Sequence, residues 1–104
     1  MNKYSELTDE EVNQNILILT KGVYVARIMI HGCQSIDFCN SWNDTGPLMF
    51  DLIRDNWEIY ITDTVVKISN WDIPTGGEFE IHHNKNELRA ICECILLIND
   101  REDK

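Results

Sequence analysis

The sequence predicts a small single α+β domain: helix, strand and helix, then a three-stranded antiparallel meander and a C-terminal helix packed on the sheet. Three observations carry this. Apolar residues recur at helical spacing in three separate stretches, residues 57–62 and 78–83 alternate apolar with polar, and turn-forming residues separate the segments. The 104 residues suffice for one modest core and are too few for a second, and a 43 % hydrophobic content offsets the ordering entropy that a disordered chain cannot.

The first helix is the clearest local signal. Thr8 is the N-cap, Glu11 stands at the third position to complete a reciprocal cap, and Leu7 staples against Val12, so the helix starts at Asp9. Val12, Ile16 and Leu19, with Leu17, form its apolar side, and Gly22 supplies a left-handed exit. Residues 23–30, rich in branched side chains, read as a mostly buried strand that His31 and Gly32 break, and 34–38 as a short linker.

The second helix runs from Asn43 or Gly46 to Asp55. Ser41 is its N-cap, Asp44 reaches back or favours the positive helix end, and Pro47 suits a first turn that needs no amide donor. Leu48, Leu52 and Ile53 face the core, Met49 its margin, and Asn56 takes the left-handed exit. In the meander Trp57, Ile59 and Ile61 point inward, Asp63 and Thr64 turn the chain, residues 65–70 pair back, residues 71–77 form a loop, and Phe79 and Ile81 share a face. Asn86 caps the last helix, which carries Leu88, Ile91, Cys92, Ile95, Leu96 and Asn99 along one side. Leu97 and Ile98 widen its apolar surface toward either ordinary core or a subunit interface in a homo-oligomer, and residues 99–104 form a fraying charged tail.

With 18 acidic against 9 basic residues the net charge is −9, which disfavours nucleic-acid phosphates and anionic lipid and favours a basic partner. No apolar run approaches the roughly 20 residues that span a bilayer. A polar, acidic start without a basic lead into an apolar segment gives a cytoplasmic expectation, with Cys33, Cys39, Cys92 and Cys94 reduced. Two residues apart on a helix, Cys92 and Cys94 point to nearly opposite sides and cannot share one metal ion.

The chain has no Gly-rich phosphate loop, no metalloprotease helix motif and no Gly-flanked nucleophilic serine, so no enzyme activity, cofactor or metal is expected. His82 and His83, adjacent on a strand, face opposite ways, and His31 has no orienting partner at fixed spacing. The candidate ligand site combines Asn40, Ser41, Trp42 and Asp44 at the second helix start with Arg54 on the same helix and Trp71 in the following loop. An aromatic face stacks on a base and a guanidinium grips phosphate at two points, the chemistry of a small nucleotide. The alternative is an acidic protein inhibitor presenting Glu6, Asp9, Glu10 and Glu11 to a nucleic-acid-binding protein in place of phosphate.

The run Phe38-Cys39-Asn40-Ser41-Trp42-Asn43-Asp44-Thr45-Gly46-Pro47-Leu48, together with Tyr4 to Asn13 and Asn86-Glu87-Leu88-Arg89-Ala90, resembles the NinX-like family of small proteins encoded by tailed phages and prophages. Asn43 stands where members often carry Ala, and Asn86-Glu87-Leu88 where many carry Asp-Pro-Leu. The resemblance implies a phage accessory gene expressed in a bacterial host cytoplasm, and by association a protein that counters a host defence factor by binding, with no activity to carry over.

Overall fold

A computed structural model describes residues 3–21, 37–71 and 77–102. The elements are α1 (Asp9–Lys21), α2 (Trp42–Arg54), β1 (Glu58–Ile61), β2 (Val65–Asn70), β3 (Gly77–His82) and α3 (Glu87–Glu102), a mixed α+β arrangement with the strands in antiparallel order β1-β2-β3. The expected strand over 23–30, His31, Cys33 and the Gly22 exit lie outside the described residues, as do 72–76 of the loop after Trp71.

α1 begins as its capping signal dictates. The Thr8 amide donates to Glu11 Oε1 at 3.0 Å and the Glu11 amide to Thr8 Oγ1 at 3.1 Å, which satisfies two otherwise orphaned donors. Val12, Ile16 and Leu17 are core residues, whereas Leu19 is 37 % exposed. The buried arc is turned toward Leu17, because α1 packs along α3 over a broader face than a single stripe.

α2 departs from expectation in three ways. It starts at Trp42, so Pro47 stands inside the helix instead of in its first turn and withholds the amide that would bond the carbonyl of exposed Asn43. Ser41 occupies the N-cap with extended backbone, yet its hydroxyl makes no capping bond. Ile53, expected inward, is 53 % exposed, since Leu48 and Leu52 already fill the inward arc. The exit is as anticipated: Asn56 has φ 70°, a region that asparagine tolerates.

Ile59↔Ile68↔Phe79 and Ile61↔Val66↔Ile81 are cross-strand rows, so one sheet face is apolar. The opposite rows, Glu58↔Ser69↔Glu78 and Tyr60↔Lys67↔Glu80, are polar apart from Tyr60. α3 covers the apolar face and α1 packs on the other side of α3, while α2 touches β1 and α3. Lying between layers, α3 is buried nearly all round: Leu88, Ala90, Ile91, Cys92, Cys94, Ile95, Leu96 and Ile98 are all core. Ile98 is therefore buried within one chain, and the helix continues through Glu102 where a frayed tail was expected.

Candidate functional site

The polar residues at the start of α2 are held by Asp37. Its carbonyl accepts the Asn40 amide at 3.2 Å and the Ser41 amide at 2.9 Å, and its amide donates to Asp44 Oδ2 at 3.0 Å. Its carboxylate accepts Asn13 Nδ2 at 2.9 Å and Asn40 Nδ2 at 3.0 Å. Burial alone would raise the Asp37 acid, but these side-chain bonds and the amides of Cys39 and Asn40 outweigh it and hold the carboxyl below its usual range. Asn40 also reaches Asp9 Oδ2 at 3.3 Å, and the buried Thr45 hydroxyl donates to the Phe38 carbonyl. Asn40 and Asp44 thus build the turn, and Trp42, 52 % exposed, stands outside the core at its edge.

The six candidates fall into two groups. Asn40, Ser41, Trp42 and Asp44 lie at the N-terminal end of α2, and Arg54 at its far end, about 18 Å along the axis at 1.5 Å per residue. Arg54 pairs with Asp51 at 3.3 Å in a solvent-exposed contact. Trp71 follows β2 and is 73 % exposed. With Asn56, Glu58, Ser69 and Asn70 it lines a cavity of about 120 Å³, smaller than the roughly 300–1,000 Å³ typical of small-molecule sites.

The acidic N-terminal face is partly committed to the fold. Asp9 is bound by the Arg89 guanidinium, and hydrogen bonds from the Thr8 amide and then its hydroxyl hold the Glu11 acid below its ordinary value, leaving Glu6 and Glu10 exposed. His83 is half-buried: Nε2 lies 2.9 Å from the Thr62 carbonyl and Nδ1 accepts the Asn86 amide at 3.0 Å. This pattern assigns the proton to Nε2. Among the described residues no three His, Cys, Asp or Glu side chains cluster as a metal site would require.

Two features escaped the sequence reading. One is Arg89, whose guanidinium bonds Asp9, Glu93 and the carbonyls of Tyr4 and Leu7; a lone arginine on a helix carries no signal for partners some 80 residues away. The other is a second apolar stripe on α2. Trp42, Phe50 and Ile53 are 52, 64 and 53 % exposed, with Met49 half-buried beside them. Their offsets of four, seven, eight and eleven from Trp42, counting Gly46, place them on one side of the helix, and that spacing was legible had the helix been given two apolar faces. No protein-family model, curated protein or solved structure matches the chain.

Proposed function

We propose that this is a phage accessory protein acting in the host cytoplasm by binding, not catalysis, and that it counters a host factor by docking a basic protein on the outer face of α2. The observation that carries this is the α2 stripe: a helix already packed through Leu48 and Leu52 presents Trp42, Phe50 and Ile53 to solvent. Aromatic side chains of this kind anchor interfaces, and contiguous apolar patches on a small domain mark interaction sites. The net charge of −9 and the acids Asp51, Asp55 and Glu58 at the C-terminal end of the stripe give the partner its sign. Nucleotide sequestration draws less support, because its candidate residues divide between the two ends of α2 and Asn40 and Asp44 are engaged in the turn.

The test uses a photo-crosslinking benzoylphenylalanine in place of Phe50 in cells of the host. The expected product is one basic host protein whose binding weakens at least tenfold in Phe50→Asp and falls with salt. The same probe in place of Glu10 asks whether the N-terminal acids are the contact instead. Capture from position 10 alone, or only of a second copy of the chain from position 50, removes this reading.

A further inference from the structure

The cavity beside Trp71 lies on the polar side of the sheet, at the C-terminal end of α2. Its walls come from the α2 exit (Asn56), the first residue of β1 (Glu58) and the end of β2 (Ser69, Asn70, Trp71). Glu58 and Ser69 are directly paired across the β1–β2 ladder, and both line the same hollow. Asn70, 3 % exposed, donates Nδ2 to the Asp55 carbonyl at 3.1 Å, which ties β2 to the α2 exit beside the hollow.

The side chains of Asn56, Glu58 and Ser69 make no hydrogen bond or ion pair among the described residues. The nearby cations leave Glu58 uncompensated. Lys67, its diagonal neighbour across the ladder, turns to Glu80 at 3.5 Å, and Arg54 pairs with Asp51. A carboxylate, a hydroxyl and a carboxamide with acceptor oxygens thus converge beside an exposed indole.

We infer that this hollow is a socket for the cationic head of a basic side chain, with arginine the best fit. At about 120 Å³ the hollow is smaller than the roughly 300–1,000 Å³ of sites that take a whole small molecule, a size that suits the planar head of one side chain. A planar guanidinium donates from five N–H groups and can meet Glu58 Oε atoms, Ser69 Oγ and Asn56 Oδ1 while its face lies against the Trp71 ring. Anionic ligands are disfavoured by Glu58 itself. The socket deepens the basic-partner reading and rests on it for its biological occupant, but its chemistry is testable alone.

The probe is N-acetyl-arginine methylamide titrated into the whole ¹⁵N-labelled chain, with the neutral citrulline analogue as control. The expected result is movement of the Trp71 indole N–H and of the Asn56 and Ser69 signals by the arginine probe only, with a Kd of order 1 mM. Glu58→Gln weakens that binding about tenfold or more through loss of a charge-assisted bond, and Trp71→Ala about threefold. Both residues are exposed, so the variants keep the parent spectrum elsewhere. Unmoved signals, equal movement by citrulline, or an unchanged Kd in Glu58→Gln overturns the socket. Capture of a basic protein from position 50 without probe binding removes the socket and leaves the partner reading; probe binding without capture does the reverse.

Discussion

The thiols of α3 show how a single position takes its chemistry from what surrounds it. Cys92 and Cys94 are both 0 % exposed and, as their two-residue spacing requires, look different ways: Cys92 toward Cys39 and Thr45, Cys94 toward the Phe79 carbonyl at 3.9 Å. A hydrogen bond with Cys39, and then burial, pushes the Cys92 thiol up, and burial followed by the Glu93 carboxylate pushes Cys94 up to about 12. A thiol raised above its unfolded value of about 8.5 keeps its proton when folded and loses it when unfolded, so its contribution is intact below pH about 8.5 and declines as pH rises toward the folded value. Urea unfolding at pH 8, 9 and 10 should show stability falling by up to about 1.4 kcal/mol per pH unit for each such thiol, less steeply in Cys92→Ala and Cys94→Ala. The opposite orientation of the two cysteines was legible from helical geometry. The roles of Asn40 and Asp44 were not: both read as ligand groups because Asp37, which occupies them, gives no pattern in the sequence.

At the scale of elements, boundaries were legible where backbone chemistry is local and faces were lost where packing decides. The α1 start is written in Thr8 and Glu11, and Thr8→Ala should cost about 1 kcal/mol by losing one reciprocal bond. A Thr8→Ala/Glu11→Ala cycle should be non-additive, because either change alone breaks the same unit. β1 and β3 announce themselves by alternation, since a strand with one buried face has no other stable pattern. α2 is harder: its apolar residues cover two arcs, and only neighbours in space decide which arc is core. That division has a measurable consequence. Phe50→Ser and Ile53→Ser should change unfolding free energy by no more than about 0.5 kcal/mol, whereas Ile91→Ala, at 0 % exposure, should cost about 2–5 kcal/mol. A large loss from Phe50→Ser would show that the stripe belongs to the core and would remove the proposed docking face.

At the scale of the whole molecule, Arg89 joins the two ends of the chain. From the first turn of α3 its guanidinium bonds Glu93 Oε2 at 2.8 Å on the same helix, Asp9 on α1, and the carbonyls of Tyr4 at 3.0 Å and Leu7 at 2.6 Å ahead of α1. Burial works against the charge, but the bonds from Asp9 and Glu93 outweigh it and hold the guanidinium above its ordinary value. The side chains of Arg89 and Glu93 are only 13 and 9 % exposed, so this is a desolvated pair and not a screened surface one. Arg89→Met should therefore cost about 3–5 kcal/mol, chiefly by taking the guanidinium from the buried Glu93 carboxylate and from the Leu7 carbonyl, while the Tyr4 carbonyl keeps the Leu7 amide at 3.2 Å. Against a typical total of about 5–15 kcal/mol, such a variant stands near the edge of folding. If loss of the guanidinium from the Glu93 carboxylate is the main cause, Arg89→Met/Glu93→Leu should recover much of the loss in urea unfolding, while hydrogen exchange of α1 stays faster than in the parent because the guanidinium bonds to the Tyr4 and Leu7 carbonyls are still missing. A double variant no more stable than Arg89→Met would shift the weight to those carbonyls and to Asp9, making the arginine a clasp for the N-terminal segment more than the partner of a buried acid.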